Sequence, residues 1–184
     1  MRRDLVVRAI DGDHAAFSEL AAGSIGRLFA VARLIIRETE PAEDAVQEAL
    51  VAAWRDLPSL RDPDRFDAWL HRLLVRACYR EARRTRQVAR LEVHVLPIEL
   101  GVPDEAGSIA VRDQLDWGFR RLKPDQRAIL VLHFYAGKPL PEVAEILAIP
   151  LGTAKSRLHR SIQALRAHLD AEARTTQLSE GRFA

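Results

Sequence analysis

"LPEVAEILAIPLGTAKSRLHR", Leu140 to Arg160, contains two helical patterns on either side of a tight turn. In the first pattern Val143, Ala144 and Leu147 point one way. In the second, Ala154, Leu158, Ile162, Leu165 and Leu169 recur at steps of four, four, three and four, which is the spacing of a buried helical stripe. Pro141 suits the first turn of the short helix. A short helix, a tight turn and a longer helix make a helix-turn-helix. Thr153, Lys155, Ser156, Arg157, His159 and Arg160 lie off the stripe in the opening turns of the second helix, and Thr153 to His168 holds four cations and no acid. Cations near a helix N-terminus oppose the macrodipole, at roughly 0.3–1 kcal/mol each. A helix built only for stability places acids there. A solvated basic face is the plain reading of such a run. Its pairing with the turn favours an anionic partner, with the N-terminal residues presented to base edges in a DNA major groove.

Upstream, "PDQRAILVLHFYAG" and "SIAVRDQLDWGFRRL" extend the same helical half, with Pro124 near the start of one segment and Gly137 ending it. Before them the pattern lapses. "VLPIELGVPDEAG" carries Pro97, Gly101, Pro103 and Gly107 without helical period, so residues 89–108 read as a flexible linker. "LEVHVLPI" is the one strand candidate of any length, and a lone strand has nothing to pair with. The first half is helical again. "AEDAVQEALVAAWRDL" sets Val46, Ala49, Leu50, Ala53, Trp54 and Leu57 on one face and Glu43, Asp44, Gln47 and Glu48 elsewhere. A loop containing Pro58 and Pro63 leads to a long helix from about Phe66. The expected architecture is all-α: a domain over 1–88, the linker over 89–108, a helix-turn-helix domain over 109–174, and a frayed tail over 175–184.

The totals bound the function. The chain has 184 residues, 48% of them hydrophobic, enough for a core. Its net charge of +2 conceals segregation. Glu38 to Glu48 holds five acids and no cation, whereas Arg65 to Arg90 holds eight arginines against Asp67 and Glu81. That basic stripe is interleaved with Phe66, Trp69 and Tyr79. Arginine with aromatics fits single-stranded or distorted nucleic acid, where bases stack on rings and guanidinium groups follow phosphates. Phe66 and Trp69 also fall on the apolar stripe and read more readily as core, whereas Tyr79 is evenly balanced. The acidic run is either a solvated face or a docking surface for a basic protein.

A single cysteine, Cys78, excludes an intrachain disulfide and reads as a small apolar helix residue. No signal peptide or membrane span is visible, so a cytoplasmic protein with no membrane insertion of its own is expected. No metal-ligand spacing, phosphate loop or nucleophile–base set occurs; no cofactor, metal site or catalytic residue is expected, and an enzyme is disfavoured.

Taken together, the chain resembles the extracytoplasmic-function group of bacterial sigma factors. "AIDGDHAAFSEL" is similar to the group's opening helix, "PAEDAVQEALVAAW" to its core-binding helix and "RFDAWLHRLLVRACYREARR" to its promoter-melting helix. The segment from Leu122 to Leu169 is similar to its C-terminal domain. The resemblance implies binding to core RNA polymerase through Asp44, Gln47 and Glu48. It implies that the −10 element is melted by the loop from Leu57 to Asp64 and the following helix, through Arg61, Arg65, Phe66, Trp69, Arg72, Arg76, Tyr79, Arg80, Arg83 and Arg84. A flipped-out base would sit in that loop. The −35 element would be read as duplex by Thr153, Lys155, Ser156, Arg157, His159 and Arg160. An anti-sigma partner is implied as well. Three departures stand out: Arg76 and Arg80 replace an Asn and Asp of the melting helix, Pro150 replaces a capping Ser, and Leu140–Pro141 replace a more polar helix start. The competing reading is a stand-alone helix-turn-helix transcriptional regulator. Such a regulator has no use for an acidic docking helix followed by an arginine–aromatic stripe.

Overall fold

The computed structural model of the chain describes residues 2–91 and 115–180, the side chains of 88–91 and 172–180 excepted. The described residues form helices and turns, with no strand among them; "LEVHVLPI" and most of the expected linker lie outside.

In the first half, α1 (Arg2–Ile10) is separated from α2 (His14–Ile36) by a turn in which Gly12 adopts φ 95°. Asp13 caps α2, its carboxylate accepting the Ala15 and Ala16 N–H groups at 2.9 and 3.0 Å. These bonds, together with Arg8, hold its carboxyl below the usual range. α2 stops at Arg37, whose left-handed φ of 78° turns the chain while its N–H still bonds the Arg33 carbonyl. α3 (Thr39–Asp56) carries Pro41 in its first turn, where no intrahelical N–H is required. Its Ala42, Ala45, Ala49 and Ala53 are all buried, so small side chains let it pack tightly on α2 and α4 (Phe66–Leu91). Leu28, Val31 and Ile35 of α2 meet Leu70, Leu74 and Val75 of α4 in the same core. Cys78 is fully enclosed, and burial pushes its thiol up to about 12, so it is an inert apolar residue.

In the second half, a helix over 115–121 (α5) precedes α6 (Pro124–Leu130). The Lys123 N–H at the start of α6 bonds Gln126 Oε1 at 2.9 Å. α6 widens into one π-helical turn, Val131–Tyr135, and the chain reverses at Gly137, with φ 66°. α7 (Leu140–Leu147) and α8 (Leu151–Glu180) complete the half. Gly118 sits where α5 crosses α8: a Cβ there would stand 2.9 Å from Leu165 Cδ1. This glycine marks close helix packing rather than a break.

Two expected boundaries move outward. α4 continues to Leu91, past the expected end at 88. α8 runs to Glu180, so residues 175–180 are helix and not frayed tail. "ARTTQLSE" contains neither Gly nor Pro, and the first helix-stopping residue is Gly181.

The two halves touch. α7 packs along α4, and α6 with its π-turn packs against α2. Arg127 is the buried centre of this contact. Its Nε donates to the Ile35 carbonyl at 2.5 Å and its Nη1 to the Leu122 carbonyl at 3.1 Å. Burial, aided by the charges of Arg37 and Arg86, lowers its pKa to about 10. Around it, Lys138 bonds Asp67, Arg37 bonds Asp116, and Arg65 meets Glu145 at 2.6 Å.

Candidate nucleic-acid and polymerase interfaces

The helix-turn-helix forms as its apolar spacing requires. Val143 and Ala144 are buried and Leu147 is half-buried, and Ile146 joins them. Ala148 takes the left-handed conformation, φ 54°, and the Ile149 N–H returns to the Ala144 carbonyl at 3.0 Å, closing α7 and aiming the chain into α8. Pro150 stands at the cap of α8 and contributes its carbonyl to the Ala154 N–H, with no side-chain cap. Ala154 and Ser161 are buried; Leu158, Ile162, Leu165 and Leu169 are half-buried on the same side. Lys155, Ser156, His159 and Arg160 are exposed, and Thr153 and Arg157 half-buried. Ser156 Oγ donates to the Thr153 carbonyl at 3.0 Å, and Arg160 Nε to the Ser156 carbonyl at 3.2 Å. Lys155, Arg157, His159 and Arg160 make no ion pair among the described residues. The first turns of α8 therefore present Lys155, His159 and Arg160 to solvent without an ion pair among the described residues, while Asp125 lines the same cleft as Arg157 and Arg160.

The expected −10 surface divides. The loop is ordered by local bonds: Ser59 Oγ donates to the Asp56 carbonyl at 2.6 Å, and the Asp62 side chain accepts the Asp64 N–H at 3.0 Å. Arg61 projects from it, exposed. Along α4, Arg76, Arg80, Arg83 and Arg84 are exposed. Arg80 meets Glu48 at 2.6 Å, and Arg84 lies 3.9 Å from Glu81. Phe66 is a correction: it is 3% exposed, packed in the core with its ring 6.0 Å from that of Trp69, and offers no face for a base. Its place on the apolar stripe outweighs its place in the basic run. Trp69 is half-buried. Arg72 is half-buried too, and lines a cleft with Pro141, Ala144, Glu145 and Ile149. Tyr79 is mostly enclosed; its hydroxyl has no partner among the described residues, and burial pushes its pKa to about 12.

Glu43, Asp44, Gln47 and Glu48 stand exposed along α3, with Glu48 beside Arg80 of α4. Gln47 and Glu43 edge an apolar groove of about 640 Å³ between α2 and α3, floored by Phe17, Phe29, Val46, Leu50 and Trp54. Ile25 and Val51, 47% and 61% exposed, form its rim. These two residues were not read from the sequence as functional. The available signal was Val51 itself, an apolar residue off the α3 stripe and one turn from Gln47. A second groove of about 610 Å³ is bounded by both halves, including Leu34 of α2, Phe119 of α5, Leu165 of α8 and the exposed Phe134 and Tyr135. Among the described residues no cluster of His, Cys, Asp or Glu has the arrangement to hold a metal ion, and no helix is long and apolar enough to cross a membrane.

The Sigma-70 region 2 family matches residues 24–88, and the Sigma-70 region 4 family matches residues 119–165. The extracytoplasmic-function sigma factor SigM of Mycobacterium tuberculosis is 34% identical over 160 residues, covering 86% of this chain and 79% of that protein. SigW of Bacillus subtilis is 27% identical, with 86% and 91% covered. Among solved structures, CnrH, in complex with the cytosolic domain of CnrY, superposes with a TM-score of 0.67 at 30% identity over 92% of this chain and 97% of that one. The sigma factor RpoE of Bartonella quintana, in complex with the anti-sigma factor NepR, gives 0.64 at 25% identity over 84% and 96%. A region 2 match across the first half is what a stand-alone regulator would lack. The chain belongs to the extracytoplasmic-function sigma factors, which bind core RNA polymerase and direct promoter-specific initiation of transcription.

Proposed function

We propose a division of labour among the named side chains, carried by one observation: the exposed acids of α3 and the exposed cations of α8 lie in separate halves, each beside the surface its partner needs. Asp44, Gln47 and Glu48 grip core polymerase, with the groove edged by Ile25 and Val51 taking apolar side chains from it. Thr153, Lys155, Ser156, Arg157, His159 and Arg160 enter the major groove of the −35 element as duplex. Arg61, Arg65, Trp69, Arg72, Arg76, Tyr79, Arg80, Arg83 and Arg84 engage the −10 strand, the arginines along phosphates and Trp69 and Tyr79 as stacking surfaces once uncovered. Phe66 supports them from the core. The working units are residues 1–91, up to the end of α4, and a second unit ending within α8, joined by the segment between.

The chain itself performs no covalent chemistry; polymerase does. Its site of action is the cell interior, where chromosome and polymerase meet. We also assign it an anti-sigma partner. The sigma factor RpoE of Bartonella quintana was solved bound to an anti-sigma factor, and the groove bounded by both halves suits an amphipathic helix that would hold the halves together.

The test is reconstitution. Mixed with core polymerase, the purified chain co-purifies with it and supports run-off transcription from a template carrying both elements. Promoter binding by the chain alone, with no association with core, contradicts the assignment.

A further inference from the structure

Ser161 is out of place on α8. It is fully buried on the side that carries Ala154, Leu158 and Leu165, and its Oγ has no partner among the described residues. A serine inside a helix commonly bonds back to a carbonyl one turn earlier. Ser18 does so to the His14 carbonyl at 2.9 Å, and Ser156 to that of Thr153 at 3.0 Å. Ser161 does not. A buried hydroxyl left unbonded costs stability that an alanine of similar size would spare. Ser161 opens on a cleft of about 310 Å³ between the start of α6 and α8, lined also by Lys123, Asp125, Gln126, Arg157 and Arg160. Three cations meet one acid there, and none of the three makes an ion pair among the described residues. The Lys123 N–H donates to Gln126 Oε1 at 2.9 Å, which fixes this amide at the rim and leaves its NH2 group to donate. Hydroxyl, amide, ammonium and guanidinium donors in one lining suit an oxyanion. The cleft also has a definite place on the helix. At 3.6 residues per turn, Arg157 and Ser161 stand roughly 100° or more around α8 from Lys155, Ser156 and His159. It therefore lies on the flank of the helix, not on the face those three present.

We propose that this cleft is a phosphate-binding site: Ser161 Oγ donates to one phosphate oxygen, and Arg157 and Lys123 close on the others. Its role on DNA rests on the reading of α8 as the −35 helix, and it changes the part Arg157 plays there, from base edge to phosphate. It also adds Lys123 and Ser161, which neither the apolar stripe nor the basic run singles out. Two sources carry this chemistry, the backbone of a duplex beside α8 and a free phosphate. Placement favours the backbone, because a helix seated in a major groove has base edges before its face and phosphates along its flanks. Asp125 favours it too: an acid on the cleft wall repels a doubly charged phosphate monoester more than a singly charged diester. A phosphate held by Ser161, whose short side chain has little freedom, fixes how far α8 is turned within the groove. Lys155, Ser156 and His159 then meet the bases in one register.

The experiment has two arms, both on the full-length chain. In the first, inorganic phosphate is titrated at constant ionic strength without DNA or polymerase, and binding is read from broadening of its phosphorus NMR signal. Broadening is seen with the unaltered chain, is lost in Lys123→Ala combined with Ser161→Ala, and is kept in Lys123→Arg. In the second, −35 duplexes that each carry one neutral methylphosphonate linkage are compared. One linkage costs the unaltered chain about ten-fold in affinity and costs Lys123→Ala or Ser161→Ala far less, because the contact it removes is already weakened. Lys123→Ala weakens binding equally across sequence variants of the element, and its plot of log affinity against log salt is shallower by about one. A sensitive linkage makes the duplex backbone the source. Phosphate broadening with no sensitive linkage makes it a free phosphate. Absence of both effects overturns the site. A chain that binds no −35 duplex at all removes the reading of α8 instead, and the first arm then decides the cleft. If Ser161→Ala only raises the melting temperature, with phosphate and duplex binding unchanged, the hydroxyl is an unpaired core group and its role is overturned.

Discussion

α4 and α8 are the two arginine-rich helices of this sigma factor, and they hold their cations differently. On α8, Lys155, Arg157 and Arg160 make no ion pair among the described residues. Arg65, in the turn just before α4, is paired with Glu145, and on α4 Arg80 is paired with Glu48 and Arg84 with Glu81. A duplex presents its phosphates and base edges in fixed places, and a helix with unpaired cations is ready for it. A melted strand is a transient target. The helix assigned to it carries internal counter-ions that must be exchanged for phosphates, and the exchange sets a threshold for binding.

The largest expected effect removes the readiness of α8. Arg157→Ala combined with Arg160→Ala weakens −35 duplex binding by about 2–6 kcal/mol if the two sites add, against about 1–3 kcal/mol for either alone, as a gel shift at fixed salt would show. Unaltered affinity in both single variants removes α8 from the −35 contact. Next, Asp44→Lys with Glu48→Lys weakens association with core by roughly ten-fold or more in a titration with labelled polymerase, and leaves duplex affinity intact. Normal core affinity would return the acidic run to a solvated face. A smaller effect comes from Glu48→Gln, which frees Arg80. This half-exposed pair is worth less than about 1 kcal/mol, so strand affinity rises at most a few-fold and the melting temperature barely moves.

The smallest effect depends on pH. Burial pushes the Asp67 carboxyl up, but Lys138, His71 and Arg2 outweigh it and the net shift is down. Asp116 behaves likewise, with Arg37 and Arg120 opposing burial. A carboxylate with a depressed folded pKa contributes stability that is complete above its unfolded value and is lost as pH falls through the folded one. Thermal unfolding should therefore be insensitive to these groups near neutrality and weaken below about pH 4, near the ordinary aspartate value. Asp67→Asn should flatten part of that acid limb.

Most of the fold was legible because apolar spacing carries it. The stripes on α3, α4 and α8 are regular, and Gly12, Pro58, Pro63 and Gly137 stand at the turns. What was not legible is the contact between the halves. Arg127 lies on the same helix face as Leu130 and Val131, three and four residues on, and a cation on an apolar stripe is a signal of burial. Its acceptor, the Ile35 carbonyl, is a backbone group 92 positions away, which leaves no trace in side-chain pattern. Phe66 was ambiguous for a related reason: one helix position served both the basic run and the core, and packing decided it. Val51 and Ile25 escaped notice because isolated exposed apolar residues are ordinary, and only their convergence on a groove gives them meaning.

The central claim is that these two helices act on one promoter only with polymerase present. Permanganate reactivity and nuclease protection on a single promoter fragment test it in one experiment. The account predicts upstream protection at the −35 element together with reactive, unpaired thymines at the −10 element when both core and this chain are present. Either alone should give no opening. Strand opening by core without the chain, or protection by the chain with no opening when core is added, would contradict it.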